Sequence, residues 1–307
     1  MVFRKKIVIG LSALVCLFLV WYLFIKETDY CISFKVKAAT GTVFQGIQEW
    51  SAIQMIRDKE SYTILEKRNF DFIRQKMKKG NAQMEYIWDI TYINDSVTKV
   101  NVGIKDLNHS LYNKLTVPFF STLFKESQIK KITDFKKGLG EHLKNFKVRI
   151  EGEGVSEETF VAYINLKSVL QEKGQTMIAN DAIITGFLFE NKIKIIGRPY
   201  LEIMNWDLDK ETIDFNYCFP VEKPTNNVVN NAVKFKTLPA IKGLKATYYG
   251  NFRTSDRAWF ALMDYAKKHN LMLENKIQEH FLSNPFNGGE ELQWETKIII
   301  PFLQNKE

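Results

Sequence analysis

The order of hydrophobic and polar residues separates an apolar N-terminal run from the rest of the chain. Residues 7–25 carry no charge and are flanked by Arg4-Lys5-Lys6 and by Lys26. About 20 apolar residues in a helix cross a bilayer core about 30 Å thick, so this run predicts a transmembrane helix. Its aromatic end at residues 21–24 is typical of a membrane interface, and the basic residues before it favour a cytoplasmic N-terminus. We therefore expect residues 1–26 to anchor a single-pass protein in the cell membrane, with its remaining domains outside the cytoplasm.

After the apolar run the pattern changes to period two and later to a helical period. Residues 32–38, 84–93 and 97–104 are rich in β-branched and aromatic residues and predict strands. Asn94-Asp95-Ser96 predicts a hairpin turn between the last two strands. Farther on, apolar residues recur at three- and four-residue steps and predict an amphipathic helix over 121–146. Its apolar stripe consists of Ile129, Ile132, Phe135, Leu139, Leu143 and Phe146.

The sheet and long helix together resemble the START-like (SRPBCC, polyketide-cyclase) helix-grip family. The resemblance covers about 34–150 and depends on the stretch WDITYINDSVTKVNVGIKD followed by the helix. It implies a START-like domain over 30–150 in which a curved antiparallel sheet is closed by the helix. Members of the family carry short helices after the first strand, and residues 40–46 leave little room for them. A deep cavity is therefore not predicted, and a structural domain without a ligand is an open alternative.

The C-terminal half contains a weak internal repeat. Residues 151–154 are charged and rich in glycine, and they predict the domain boundary. Beyond them each half has a strand holding a glutamate, Glu202 or Glu279, and a terminal strand ending in proline, Pro220 or Pro301. Helices are predicted over 165–173 and 255–269, and a turn is predicted at Asn284-Pro285.

Several motifs in this half resemble the gyrase-inhibitor-like domain, also known as the AraC-type effector-binding domain. The motifs are Leu238-Pro239-Ala240, the stretch 248–252, Arg257-Ala258-Trp259, Glu279-His280-Phe281, Asn284-Pro285 and the stretch 298–301. The resemblance runs over 155–303 and implies two pseudo-symmetric β-helix-β-β units with a small-molecule cleft between them. It also implies hydrophobic, often cationic ligands, and some members of the family hydrolyse cyclopropane-bearing compounds.

A pocket for an organic cation needs aromatic faces and a carboxylate. The family commonly has a glutamate four residues before the last proline, where this chain has Lys297. Glu295 lies two residues earlier on the same strand face and is the expected substitute. A lysine at this place instead favours an anionic ligand, and an exposed strand with two solvated side chains is the third interpretation. The candidate ligand-binding residues are Tyr200, Glu202, Trp206, Tyr217, Tyr248, Trp259, Glu279, Glu295 and Lys297.

Composition excludes several classes of function. The net charge of +8 suggests nucleic acid as a partner, but the lysines are scattered and no helix-turn-helix pattern accompanies them. The 3 cysteines are too few for a disulfide framework, and the 4 histidines lack metal-binding spacing. We therefore expect no nucleic acid, no metal and no cofactor.

The sequence as a whole predicts an α+β protein anchored in the membrane through residues 7–25. Its expected function is to bind or sense a hydrophobic or amphipathic small molecule. Two alternatives are open: a hydrolase that uses Glu295 as base or nucleophile with a tyrosine as acid, and a non-catalytic structural module at the membrane. The sequence does not determine the ligand or the oligomeric state.

Overall fold

The structure, a computed structural model, describes residues 2–94, 97–225, 231–283 and 288–303. These residues form two antiparallel sheets with helices, which is an α+β fold. Their contacts divide into two compact units. Among the described residues, unit 1 consists of those up to 140 except 38–42 and Asn94, and unit 2 consists of these exceptions and the residues from 141 onward.

Unit 1 contains a five-stranded sheet and four α-helices. The strands are β1 (Tyr30–Val36), β2 (Ser61–Arg68), β3 (Phe72–Lys79), β4 (Ala82–Asn94) and β5 (Val97–Asp106), in the sheet order β1-β5-β4-β3-β2. The helices are α1 (Val2–Val20), α2 (Thr40–Asp58), α3 (Ser110–Thr116) and α4 (Leu123–His142), with a π-helix at Trp21–Ile25. The predicted strands at 32–38, 84–93 and 97–104 are confirmed as β1, β4 and β5. Of the predicted turn 94–96, Asp95 and Ser96 lie outside the described residues.

The predicted transmembrane helix is wrong. Among the helices of the described residues, none is both long enough and apolar enough to span a bilayer. The apolar run does not form one regular α-helix, because α1 ends at Val20 and the last five residues of the run, Trp21–Ile25, adopt π-helical geometry. In addition, α1 begins before the apolar run and includes the basic residues 4–6.

Residues 40–46 begin a helix, against our expectation that the segment leaves little room for one. Helix α2 runs for 19 residues from Thr40. Val43, Phe44, Ile47 and Trp50 recur at helical spacing and are at most 9% exposed, so the apolar stripe of the helix is buried. The glycines and polar residues between these positions hide that stripe in the sequence.

The helix predicted over 121–146 is confirmed as α4, with closer bounds. Its buried stripe contains Ile132, Phe135 and Leu139. The ring of Phe135 lies 5.6 Å from that of Trp50 on α2 and 5.2 Å from that of Trp88 on β4, both edge-on. These aromatic contacts pack α2 and α4 against the sheet of unit 1.

Unit 2 contains an eight-stranded sheet and two α-helices. The strands are β6 (Phe146–Val155), β7 (Thr159–Val169), β8 (Tyr200–Asp207), β9 (Thr212–Pro220), β10 (Lys234–Leu238), β11 (Lys242–Gly250), β12 (Ile277–Phe281) and β13 (Glu295–Pro301). The helices are α5 (Lys173–Glu190) and α6 (Asp256–Lys268), and short 3-10 helices lie at Leu170–Glu172, Phe252–Thr254 and Glu291–Gln293. The sheet order is β10-β7-β9-β8-β12-β13-β11-β6.

The predicted internal repeat is visible in this topology. β7-α5-β8-β9 and β11-α6-β12-β13 are two β-helix-β-β units, and the pairing of β8 with β12 joins them in one sheet. The helix predicted over 255–269 is confirmed as α6. The helix predicted over 165–173 is wrong, because residues up to Val169 pair with β9 and the helix begins only at Lys173.

Two further predictions concern the connections of unit 2. The glycine-rich segment 151–154, predicted as the domain boundary, lies inside β6, where it pairs with β11 across a register shift. The turn predicted at Asn284-Pro285 lies outside the described residues.

The sheet of unit 2 has two distinct faces. Side chains alternate along each strand, so Tyr217 and Glu279 point to one face and their neighbours Cys218 and His280 to the other. We call the first the helix face, because Tyr217 bonds a residue of α5 and Glu279 bonds Trp259 of α6. We call the second the reverse face.

Replacing Gly243 by alanine tests how tightly β11 and β13 pack. A Cβ atom at Gly243 would lie 2.3 Å from the carbonyl oxygen of Ile300, a backbone atom that cannot move aside. We expect Gly243→Ala to lower the free energy of unfolding by about 2–3 kcal/mol, measured by chemical denaturation. Gly186→Ala on α5 is the control, because no atom among the described residues lies within 4 Å of its added Cβ; it should be neutral or slightly stabilising. Equal stability of the two variants would contradict the packing.

Candidate functional site

A cleft of about 860 Å³ opens on the helix face of unit 2. One wall is helix α5, and the facing wall is the segment 250–253 before α6. The floor is formed by the ends of β9, β12 and β13, and residues 195–199 close one end. The cleft therefore lies between the two β-helix-β-β units. The side chains used below are Asp181, Arg198, Tyr217, Phe219, Phe252, Arg253, Phe281, Trp294 and Glu295.

Aromatic rings from both halves line the cleft. Tyr217 and Phe219 on β9 pack edge to face with ring centroids 5.0 Å apart. Phe252 and Phe281 from the second half do the same at 5.9 Å. Trp294, the residue before β13, adds a fifth ring. Such surfaces bind flat apolar groups and the faces of organic cations.

A carboxylate and a phenol form the central polar pair of the cleft. The hydroxyl of Tyr217 donates a hydrogen bond to Asp181 Oδ1 over 2.8 Å. Burial and this bond raise the pKa of Tyr217, so the phenol keeps its proton and holds the carboxylate in place. Asp181 is half-buried and its carboxylate has further acceptor capacity for a ligand.

Three more charged residues line the cleft. Glu295 is half-buried at the first position of β13, and its backbone N–H donates to Ser283 Oγ over 3.0 Å. Arg198 and Arg253 are exposed, and neither makes an ion pair within the described part of the chain. Because water screens exposed charges more than half-buried ones, the two guanidinium groups act more weakly on a ligand in the cleft than the half-buried Asp181 carboxylate does.

The nine predicted site residues divide into three groups in the structure. Tyr217 and Glu295 line the cleft. Trp206, Tyr248, Trp259 and Glu279 are buried beneath the helices. Tyr200, Glu202 and Lys297 belong to the reverse face, since they pair in register with Cys218, Asn216 and His280. Lys297, at the place of the family's usual glutamate, therefore points away from the cleft.

Each residue of the second group is held by a specific contact. Trp206 packs edge-on against Trp259 with ring centroids 5.3 Å apart. The hydroxyl of Tyr248 is 2.7 Å from Thr254 Oγ1, and its ring stacks on Phe146. The Trp259 indole N–H donates to Glu279 Oε1 over 2.6 Å. These contacts make the four side chains part of the core.

A buried ionic cluster connects the two halves beneath the cleft. Lys173, the first residue of α5, is fully buried, and its Nζ lies 3.1 Å from Asp256 Oδ1 and 3.7 Å from Glu279 Oε1. Arg257 Nη1 lies 2.6 Å from the other oxygen of Asp256. Burial raises the pKa of Glu279, although Lys173 opposes the rise. At Asp256 burial also acts to raise the pKa, but Lys173 and Arg257 outweigh it and the pKa is lowered.

The reverse face carries a second polar group. The rings of Tyr200 and His280 stack with centroids 4.4 Å apart. Burial, together with Lys245 and Lys297, lowers the pKa of His280 to about 4. On the next strands Glu202 accepts a hydrogen bond from Asn216 Nδ2 over 2.7 Å and pairs with Lys236.

The lining residues that the sequence analysis missed include Asp181, Arg198, Phe219, Arg253 and Phe281. Asp181 lies on α5, whose position was predicted too early in the chain, so no helix face could be assigned to it. The partnership of Asp181 with Tyr217 is also invisible in a sequence, because the two residues are far apart in the chain and meet only through the packing of α5 on β9. Phe281 stands next to Glu279 and His280 in the predicted motif. The alternation of side chains places Phe281 on the same strand face as Glu279, and this was the available signal.

The fold and the cleft define a two-unit β-helix-β-β domain, and comparison with known families identifies it. Residues 156–303 match the family described as GyrI-like small molecule binding domain. The predicted gyrase-inhibitor-like resemblance is thereby confirmed, and this part of the chain is a GyrI-like small-molecule binding domain. The family match does not include residues 30–150, and the comparisons give no support for the START-like resemblance there.

Solved structures that resemble the chain are distant. The C-terminal domain of EcmrR is 15% identical, with a TM-score of 0.44, and the match covers 52% of this chain and 99% of that one. SAV2435 bound to tetraphenylphosphonium is 11% identical, with a TM-score of 0.35, covering 52% and 93%. A hydrolase from Listeria innocua is 11% identical, with a TM-score of 0.33, covering 55% and 98%. A search of curated proteins finds no match.

Removing the cation of the buried cluster should destabilise the protein. Lys173→Met leaves Glu279 without its cation, and we expect it to lower the free energy of unfolding by about 3–5 kcal/mol. The double variant Lys173→Met/Glu279→Gln removes both charges and should recover much of this loss, since Asp256 keeps Arg257 as its partner. Chemical denaturation of the three proteins measures the coupling. Additive losses in the double variant would show that Lys173 and Glu279 are not coupled.

The low pKa of His280 should make stability depend on pH. The unfolded chain takes up a proton on this histidine near pH 6.5, whereas the folded chain does so only near pH 4. The free energy of unfolding should therefore fall, by about 2–3 kcal/mol from this group, as the pH drops through that window. His280→Phe keeps a ring against Tyr200 and removes the titration, so its unfolding free energy should change less between pH 6.5 and 4. If the unfolding free energies of the two proteins fall equally between pH 6.5 and 4, the pH dependence does not come from His280.

Proposed function

We propose that the GyrI-like domain binds an amphipathic small molecule in the cleft between α5 and the segment 250–253. The ligand has an apolar, largely aromatic body and one positively charged or hydrogen-bond-donating group. The observation that carries this proposal is the bonded pair of Asp181 and Tyr217, set among aromatic side chains from both halves of the domain.

The size of the cleft supports a ligand of this kind. A volume of about 860 Å³ falls in the range of roughly 300–1,000 Å³ found for sites that enclose drug-sized molecules. Burying apolar ligand surface against these rings contributes about 25 cal/mol for each Å². The aromatic faces add about 0.5–2 kcal/mol if the ligand carries a cation. Apolar contact therefore supplies most of the affinity.

The polar groups supply the selectivity. Asp181 offers a half-buried carboxylate that is already oriented by the Tyr217 hydroxyl, so a cationic or donor group meets a partner that needs no rearrangement. Glu295 borders the cleft at the start of β13, but its side chain alternates with that of Thr296 and shares the strand face of Lys297. Arg198 and Arg253, at exposed positions, can meet an acidic substituent at the outer end of the ligand, where screening weakens the attraction.

Two functions from the sequence analysis stay predictions beside this proposal. Hydrolysis needs Glu295 as base or nucleophile and a tyrosine as acid, and Tyr217 is the tyrosine that lines the same cleft. A purely structural role needs no ligand at all. If the domain consumes a bound compound over time, it is a hydrolase and not only a binding protein. If it binds no compound at all, a structural role is favoured.

A pair of dyes of opposite charge tests the proposal. Rhodamine 6G and fluorescein share a flat three-ring body, but the first is a cation with N–H donors and the second is an anion. We expect the full chain to bind rhodamine 6G at least tenfold more tightly than fluorescein, measured by fluorescence polarisation. Asp181→Asn should weaken rhodamine 6G binding about tenfold, because it removes the negative charge and keeps the size of the side chain.

Two variants complete the dye experiment. Phe252→Ala should weaken both dyes, because it removes an aromatic wall that does not distinguish their charges. Glu190→Gln, the same kind of change at an exposed position at the end of α5, should leave both affinities unchanged. The proposal is wrong if neither dye binds saturably, or if binding is indifferent to Asp181→Asn and to Phe252→Ala.

A further inference from the structure

We propose that Gly174 is a specificity-determining residue of the cleft, because its lack of a side chain lets Phe252 lie against α5. The position of Phe252 then sets the length of ligand that the cleft takes. This role of Gly174 rests on the function proposed for the cleft and deepens it, since it gives the ligand a direction, along α5 from Asp181 towards Phe252. Gly174 is buried and acts by positioning Phe252.

Gly174 is the second residue of α5 and belongs to the helix face that forms one wall of the cleft. Ile178 and Asp181 line the cleft from α5, four and seven residues farther along the chain. Residues at these spacings lie on one face of a helix. Because each residue adds about 1.5 Å to the length of a helix, Gly174 and Asp181 lie about 10 Å apart along this wall.

The facing wall of the cleft meets α5 at Gly174. A Cβ atom built on Gly174 would lie 2.9 Å from Phe252 Cε2 and 3.0 Å from Arg253 Cγ. Both of these side chains line the cleft. A methyl group at position 174 and the present positions of the two side chains are therefore incompatible, and something must move.

Hydrogen bonds hold the backbone of the facing wall in place. Asn251 Nδ2 donates to Glu291 Oε1 over 2.9 Å, and Asn251 Oδ1 accepts from the backbone N–H of Arg253 over 3.1 Å. Ser255 Oγ donates to the carbonyl oxygen of Phe252 over 2.7 Å. Moving this backbone away from α5 would break several bonds at once, and each has a cost.

The start of α5 is fixed as well. Lys173, the residue before Gly174, is fully buried, with its Nζ 3.1 Å from Asp256 and 3.7 Å from Glu279. Moving it would separate buried charges, which costs more than turning a side chain away from its preferred rotamer. The side chains of Phe252 and Arg253 would therefore accommodate a larger residue at position 174. Because they line the cleft, ligand binding should change more than stability.

The contact at Gly174 marks one end of the binding surface. Phe252 packs edge-on against Phe281 with ring centroids 5.9 Å apart, so the two rings form an aromatic end. The bonded pair of Asp181 and Tyr217 forms the polar end. A ligand that uses both ends has its charged or donor group about 10 Å from the far edge of its aromatic body. A short cation reaches Asp181 without touching Phe252, so a change at position 174 should affect long ligands more than short ones.

Two cations of different length test this role of Gly174. Rhodamine 6G has a three-ring body, whereas benzylamine carries its ammonium group on a single ring. We expect Gly174→Ala in the full chain to weaken rhodamine 6G about fivefold, because it displaces the aromatic face at the far end of the dye. It should weaken benzylamine less than about twofold, measured by displacement of the dye in fluorescence polarisation. Asp181→Asn should weaken both cations, because both use the polar end.

The size of residue 252 provides a second test. Phe252→Leu removes the ring atom that the new methyl group would meet. Adding Gly174→Ala to Phe252→Leu should therefore cost little further affinity for rhodamine 6G, which is the non-additivity expected of two residues in contact. If Gly174→Ala does not fold, Phe252→Leu alone takes its place and should weaken rhodamine 6G more than benzylamine.

Gly186→Ala is the matched control. It makes the same change on the same helix, at a position where no atom of the described residues lies within 4 Å of the added Cβ. This variant should bind both cations like the unchanged chain.

The proposed role of Gly174 is wrong if Gly174→Ala weakens both cations equally or neither of them. It is also wrong if the change costs as much affinity in Phe252→Leu as in the unchanged chain. In these cases a loss of affinity in Asp181→Asn would leave the function proposed for the cleft standing. If rhodamine 6G does not bind saturably to the unchanged chain, both the function and the role of Gly174 are overturned.

Discussion

The structure of unit 2 depends on the buried contact of Lys173 with Asp256 and Glu279. Lys173 starts the helix of the first half, Asp256 starts the helix of the second half, and Glu279 lies on β12, which joins the halves through β8. Charges buried this deeply are tolerated only when each is paired and oriented. The cluster therefore fixes where both helices begin relative to the central strands. This arrangement also sets the width of the cleft, because α5 and the segment before α6 are the walls of the cleft.

The two faces of the same sheet have different chemistry for a simple reason. Helices cover one face, so its strands carry apolar and aromatic residues, with a few polar pairs such as Asp181 and Tyr217 where the helices separate. Among the described residues, the contacts that hold the α-helices of unit 2 to the sheet are made on the helix face. The reverse face carries polar side chains even on central strands. Its half-buried polar groups, such as His280 and Glu202, lie next to lysines instead of helices. A single residue step along β12, from His280 to Phe281, changes both the face and the chemistry.

Periodicity in the sequence predicted the elements whose apolar residues repeat without interruption. Helix α6 and strands β4 and β5 follow directly from their patterns. Helix α2 was missed because glycines and polar residues separate its apolar positions. Residues 165–169 are an extended strand because β9 pairs with them, a non-local contact that outweighs local preference. The apolar run 7–25 was read as one helix, whereas its regular α-helical part ends at Val20.

The sequence by itself determined the α+β class, the internal repeat and the small-molecule binding domain of the C-terminal half, because strand and helix periods and the order of motifs are local properties. It also proposed aromatic and acidic residues for the site, and two of them, Tyr217 and Glu295, line the cleft. Only the tertiary structure decided which face each candidate occupies and which of them are core residues. The reason is that side chains alternate along a strand. A register shift of one residue, or one bulge, therefore moves a side chain to the opposite face of the sheet. The pairing of Asp181 with Tyr217, and of Lys173 with Glu279, likewise arises only when distant segments pack together.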